Sequence, residues 1–394
     1  MISYKEAQRI IGSHARSHGP ELIVQETALN RVLAKPIFAD RDYPPFNRST
    51  MDGFAVRYID FEDGICTYSI KAVIYAGFAT DEILQKGECY KIMTGAAVPD
   101  SADTVIKRED VNESEKYIEL NNINIIRGQS IATKGGDLKQ NDVILENGVQ
   151  ITATAMGALA VVGIKSISVQ KLPNIVIFST GDEVVTGDTI ILPQQIRESN
   201  SIVLASMLKK FEIHSVKRIH LSDKELDIYN AIQKELNNDI IIITGGISAG
   251  DADFVPAVLE RLGLQKIIQK VAIRPGKPFW FGKAVNGTVV FALPGNPVSA
   301  QVCYKLFVEH YLRLCFGMEP NPVWQLPLLH NRNKKVNLDE FFPCIIQQNP
   351  FGMKACSFNT SGDITSTVMS NGLAIHDHEK DQILKNDQIY FIPW

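Results

Sequence analysis

The sequence lacks a paired-cysteine motif, a membrane-length apolar run and any excess of basic charge. Its six cysteines (Cys66, Cys89, Cys303, Cys315, Cys344 and Cys356) are scattered without CxxC spacing. That removes support for a zinc knuckle or a dithiol redox centre. They read as buried free thiols of a reducing compartment. The longest mostly apolar stretch, 151–164, is shorter than the roughly 20 residues a helix needs to cross a bilayer. The formal net charge of −4 argues against general nucleic-acid binding, which relies on Lys and Arg to neutralise phosphates. Any basic site must therefore be local. The first residues do not have the form of a signal peptide, so a cytoplasmic protein with no membrane or nucleic-acid partner is expected. There is no internal repeat and no low-complexity tract. No nucleophile stands out beside a spaced base, so acyl-transfer chemistry lacks support.

What is present reads as several folded domains. The 394 residues suffice for two to four domains of roughly 100–200 residues each. Ser3 and Glu6 form a capping box ahead of an amphipathic helix with Ala7, Ile10 and Ile11 on one face. Residues 39–138 change to short β runs near 68–75, 104–108 and 116–120, separated by turn signals. The Ala-rich stretch from Ala153 could return to the first helix, which makes the β-rich segment an insertion. From 170 the pattern alternates strand, turn and helix, as in a doubly wound α/β sheet. A helix is expected near 199–211. Ser222 and Glu225 form a second capping box opening a helix to about Asn237, and Asp253 is placed as the cap of the next one. Short strands and turns return over the last 75 or so residues. The expected division is an elongated helical and linker domain (1–38 and 139–169), an inserted β-rich domain (39–138), a central α/β domain (170–318) and a C-terminal β domain (319–394).

In open α/β sheets, ligands bind beyond the carboxyl ends of the strands. Three such ends carry special turns. Thr244-Gly245-Gly246, followed by Ser248, combines glycines that let the backbone approach an anion with a following helix N-terminus. Pro294-Gly295-Asn296-Pro297 opens a helix, with Pro297 suited to its first turn. Arg274-Pro275-Gly276-Lys277-Pro278 is a rigid bend carrying two cations. Asn286-Gly287 reads as a two-residue hairpin turn, which would put Phe279 opposite Pro294 and bring the bend and the Pro-Gly-Asn-Pro turn to one end. Glu183, Asp223, Asp251 and Asp253 follow strand ends and could hold Mg²⁺, although capping alone could explain Asp223 and Asp253. The stretch from Pro44 to Gly53 and Met93-Thr94-Gly95-Ala96 read as ordered loops. His376-Asp377-His378 reads as a solvated loop.

Taken together and in order, these motifs resemble the molybdopterin molybdenumtransferase family, which includes the bacterial MoeA proteins and the E domain of gephyrin. The resemblance rests on Ser49 to Val56, Met93 to Ala96, Ser179 to Glu183, Thr244 to Gly246, Arg274 to Pro278 and Leu293 to Pro297, and it spans essentially the whole chain. It implies insertion of molybdenum from molybdate into adenylylated molybdopterin, with AMP released and Mg²⁺ required. It implies a homodimer with the active site between subunits, and transient contact with a molybdopterin adenylyltransferase and with molybdoenzyme apoproteins. By position, the family's functional groups fall on Asp52, Thr94, Glu183, Asp223, Asp253, Lys270, Arg274, Lys277, Pro294, Pro297 and Ser361. A family arginine is replaced by Ala132. Two other readings stand beside this one: an adenylyltransferase resembling the central domain alone, and a non-catalytic scaffold of the gephyrin kind.

Overall fold

The computed structural model describes all residues except 122–123, 188–189, 248–252, 335 and 358. Ser248 and Asp251 therefore lie outside the described residues. The chain forms two compact units. One comprises Met1–Lys35, Asn147–Met156 and Lys165–Trp394, and the other Pro36–Glu146 and Gly157–Ile164. The segments expected as α/β and C-terminal domains fall in the same unit.

That larger unit begins with α1 (Tyr4–Ser13). The Ser3 hydroxyl accepts the Glu6 N–H at 3.2 Å, but Glu6 completes no reciprocal cap; its carboxylate is taken by Arg9 at 2.8 and 2.9 Å. The helical segment is shorter than expected. Gly19 turns the chain at φ +85°, and Pro20–Val24 then pairs antiparallel with Ser166–Gln170.

The central sheet contains β1 (Ile175–Thr180), β2 (Lys217–Leu221), β3 (Ile240–Thr244), β4 (Gln265–Gln269), β5 (Trp280–Lys283) and β6 (Val289–Leu293) in the order β2-β1-β3-β6-β5-β4. The first four are mutually parallel and β5 runs against both neighbours. Alternate residues feed two cores: Ile175, Ile177, Ile240, Ile242 and Phe291 on one face, Val176, Phe178, Ile241, Ile243 and Val290 on the other. This explains why the β3 run is apolar without alternation. Helices α2 (Asn200–Leu208), α3 (Glu225–Glu235), α4 (Val255–Arg261) and α5 (Pro297–Cys303) follow strands of this sheet. α5 continues through a wide π-type turn at Tyr304–Val308 into α6 (Glu309–Cys315). The apolar face of α1 belongs to the same core as α6: Ala7 and Ile11 join Tyr311 and Leu312.

Two expected caps do not form. The N-cap of α3 is Lys224, without a side-chain bond, and the Ser222 hydroxyl donates to Asp227 instead. The N-cap of α4 is Phe254, one residue after Asp253, which leaves that carboxylate among the cleft-lining residues. The hairpin register also differs by one from the expected pairing. Trp280 stands opposite Ala292, which carries forward to Phe279 opposite Leu293. The Gly287 N–H bonds to Ala284 O at 2.9 Å, and Gly287 takes φ +92°, so the loop spans three residues rather than two.

The C-terminal sheet runs Ile273–Arg274, Asp339–Gln348, Gly372–His376, Gln388–Pro393 and Trp324–Pro327, with Phe351–Ala355 added to Asp339–Gln348. Its first strand is part of the basic bend and lies parallel to Asp339–Glu340. His376 is fully buried at a strand end, and its Nε2 meets Lys380 O at 2.9 Å. The solvated-loop expectation therefore fails for this residue, because pairing with Glu340 draws it into the sheet.

The smaller unit is built on a six-stranded sheet: Thr104–Lys107, Gly53–Val56, Glu88–Ile92, Thr67–Ile74, Tyr117–Leu120 and Val111–Glu113, in that order. Both faces are covered, by Ala55, Tyr90 and Val105 on one side and Phe54, Tyr68 and Ile106 on the other. Among the described residues, no helix is long and apolar enough to cross a membrane.

Candidate active-site cleft

The carboxyl ends of β1, β3 and β6 open into a cleft of about 1730 Å³. Its lining includes Thr244, Gly245 and Gly246, Pro294 to Pro297, Arg274 and Lys277, the acids Glu183, Asp223 and Asp253, and Ser361. The three turns and three of the four strand-end carboxylates read from the sequence thus meet in one place. Lys270 does not line it; it is an exposed residue at φ +67°.

The glycine turns are in direct contact. Gly245 takes φ +98°, and a Cβ there would lie 2.7 Å from Thr180 Oγ1 and 2.9 Å from Thr180 O. A Cβ on Gly295 would stand 3.5 Å from the Gly245 Cα. At Gly245 only glycine lets the ends of β1 and β3 approach this closely, while a Cβ on Gly295 would make ordinary contact. The turns are also tied by side chains. The Thr244 hydroxyl donates to Pro294 O at 3.0 Å, and the Asn296 amide donates to Ser361 Oγ at 2.7 Å. Ser361 O accepts the Val298 N–H at 3.1 Å, so the C-terminal loop satisfies one of the free amides at the start of α5.

The two ends of the cleft differ in charge. At one end, burial pushes the Asp223 carboxyl above its ordinary range, and the nearby Asp182 and Glu183 charges add to the effect. The Asp223 N–H donates to Asp182 Oδ1 at 3.1 Å. At the other end the Arg274 guanidinium lies 3.6 Å from Glu340 Oε1. Arg332 meets Glu340 Oε2 at 3.2 Å and stacks 3.9 Å above the Phe342 ring. Arg332 and Glu340 had no motif to announce them; two cleft arginines share one buried carboxylate only because the bend joins the C-terminal sheet. Asn200 was missed too, since in the sequence it looks like the start of an ordinary helix.

Asp52 and Thr94 lie in the smaller unit, where they meet across neighbouring strand ends. Asp52 Oδ1 accepts both the Thr94 hydroxyl and the Thr94 N–H at 2.7 Å. The hydroxyl, then the amide, holds the Asp52 carboxyl below its ordinary range. Ala132 stands opposite Arg48 in a short antiparallel pair.

The donor chemistry fits a hard divalent cation. Glu183, Asp223 and Asp253 line the cleft and offer only oxygen. They do not form an all-protein cage. Among the described residues, the three groups whose ligand atoms lie within 4.8 Å of one another are Asp339, Asp377 and His378, outside the cleft lining. A cation held by one or two carboxylates and completed by substrate oxygens is the usual arrangement for Mg²⁺.

Fold and cleft together define a class: a mixed α/β unit with glycine turns at the carboxyl ends of its parallel strands, in a chain that also carries a β-rich unit. Residues 2–163 match the family model "MoeA N-terminal region (domain I and II)" and residues 176–314 match "Probable molybdopterin binding domain". The chain is 31% identical over 388 residues to a molybdopterin molybdenumtransferase of Haemophilus influenzae, covering 95% of this chain and 94% of that one. It is 34% identical over 313 residues to the protein of the same name from a Synechocystis species, covering 78% and 80%. The crystal structure of a molybdopterin biosynthesis MoeA protein from Pyrococcus horikoshii superposes with a TM-score of 0.81 at 27% identity, over 100% of this chain and 99% of that one. The chain belongs to the molybdopterin molybdenumtransferase family.

Proposed function

We propose that this chain transfers molybdenum from molybdate to adenylylated molybdopterin and releases AMP, in the cytoplasm, as a step of molybdenum cofactor synthesis. The observation that carries this reading is the meeting of three glycine- and proline-bearing turns and three carboxylates in one cleft. The cations Arg274 and Lys277 and the glycine turns suit the phosphates and the molybdate. Glu183, Asp223 and Asp253 suit Mg²⁺, which would neutralise charge on the phosphoanhydride as it breaks. Such a cleavage relies on positioned charge more than on a covalent nucleophile, in keeping with a cleft that needs no activated Ser or Cys.

Asp52 and Thr94 are proposed to complete the site from a second copy in a homodimer. The molybdopterin adenylyltransferase is proposed as a transient partner that supplies substrate, and molybdoenzyme apoproteins as partners that receive product. The test supplies adenylylated molybdopterin, molybdate and Mg²⁺ and follows AMP. Release that depends on both molybdate and metal is expected. AMP release indifferent to molybdate would overturn the assignment, and ATP consumption with unmodified molybdopterin would favour the adenylyltransferase reading. For the dimer, mixing Asp52→Asn with Asp253→Asn chains should recover activity in the mixed species.

A further inference from the structure

The β3–β6 ladder ends at the pair Thr244 and Leu293. Beyond it the two turns would be joined by little backbone, apart from the Gly245 N–H on Leu293 O at 3.1 Å. Asn200, the first residue of α2, bridges this gap. Its Nδ2 donates to Gly295 O at 2.7 Å and to Thr244 Oγ1 at 2.9 Å. Thr244 in turn donates to Pro294 O. The donor order in this chain is forced. A backbone carbonyl can only accept, so Asn200 must present its amide nitrogen, and the Thr244 proton is committed to Pro294. The glycine turn, the Pro-Gly-Asn-Pro turn and the start of α2 are thereby locked by one side chain.

We propose that Asn200 is a positioning residue. It carries the alignment of the two anion-facing turns past the end of the sheet, and so sets the spacing at which they meet one ligand. It acts through Thr244 and Gly295 rather than on the reacting atoms. The inference rests on the proposed reaction for its kinetic readout, but not for its structural one.

The test compares Asn200→Ala, Asn200→Asp, Thr244→Val and Thr244→Ser with the wild type. Asp keeps the shape of Asn but cannot donate, and Ser keeps the hydroxyl of Thr. With adenylylated molybdopterin, molybdate and Mg²⁺, both Asn200 variants should raise KM for the pterin about tenfold, the loss from a misplaced binding group. Thr244→Ser, which keeps the hydroxyl, should lose less than Thr244→Val. The Asn200→Ala/Thr244→Val double variant should be no worse than the poorer single one, because both break the same chain. Hydrogen exchange at the Gly245 amide should quicken in Asn200→Ala. Unchanged kinetics and exchange in Asn200→Ala overturn the proposal, even if the melting temperature falls, and additive losses in the double variant overturn it as well. If the wild type releases no AMP with molybdate, the functional reading fails, and the exchange comparison alone then decides the role of Asn200.

Discussion

Arg274 and Glu340 join the basic bend to the C-terminal sheet: Nη1 and Oε1 lie 3.6 Å apart on strands that pair in parallel. Glu340 is 6% exposed and also holds Arg332. Removing its charge leaves two guanidiniums crowded around a site with no shared acceptor. Glu340→Ala should lower stability by about 1–3 kcal/mol, the range for leaving buried polar partners unsatisfied, as read by urea unfolding. Arg274→Ala should cost less than about 1 kcal/mol, because that guanidinium is half exposed and its pair is screened by water.

Asp223 gives a prediction of opposite sign. Its carboxyl is pushed up by burial and by the Asp182 and Glu183 charges, so the folded chain holds that proton more readily than the unfolded chain does. The ionised form is therefore a liability at neutral pH, relieved as pH falls through the raised value. Asp223→Asn should melt higher than wild type at pH 7, and the advantage should shrink toward pH 4. The same variant should lose AMP release, as expected where charge is kept for function at the cost of stability. Added Mg²⁺ should raise the melting temperature of wild type more than that of Asp223→Asn. Equal shifts in both would remove Asp223 from the proposed cation site.

The turns were legible because glycine and proline mark backbone geometry directly. Gly245 at φ +98° and Gly246 at φ +64° occupy conformations that side-chain-bearing residues rarely adopt. The central strands were legible as continuous apolar runs. What stayed hidden depends on distant pairing. Ser222 and Asp253 look like caps to a local reading, yet Asp227 takes the Ser222 hydroxyl and α4 starts after Phe254. The hairpin register turned on one hydrogen bond, from Gly287 to Ala284, which the Asn-Gly pair does not specify. Glu340 reaches the site only because a two-residue strand of the bend, Ile273–Arg274, pairs with the distant Asp339–Glu340. Nothing in the local sequence encodes such a contact.

Lys305 and Glu309 form an ion pair inside the core, at 2.7 Å and with side chains 1% and 4% exposed. Lys305 lies within the wide turn that joins α5 to α6, and Glu309 opens α6. Burial brings the Lys305 ammonium down to about 8, partly opposed by Glu309, and Lys210 reaches the same Glu309 oxygen at 3.0 Å. Breaking such a pair from one side leaves an uncompensated buried charge. Glu309→Ala should therefore cost about 3–5 kcal/mol. Replacing both partners with apolar residues, as in Lys305→Met with Glu309→Leu, should cost far less than the single change. The comparison by chemical denaturation separates a need for the charges from a need for filled volume.

In the smaller unit, Asp52 is held below the ordinary carboxylate range chiefly by the Thr94 hydroxyl, then by the Thr94 amide and the Arg108 charge. The folded state thus favours the ionised form, and Asp52 stays charged as pH falls until its depressed value is crossed. Thr94→Val keeps the amide bond but deletes the larger contribution. The Asp52 value should rise toward the ordinary range without reaching it, as measured by NMR titration of the carboxyl carbon. If an ionised Asp52 serves the reaction, the acid limb of AMP release should move to higher pH in the same variant, in step with the titration. Thr94→Ser, which restores the hydroxyl, should return both curves toward wild type. A titration shift in Thr94→Val with an unmoved acid limb would mean that the Asp52 charge is not what the reaction requires.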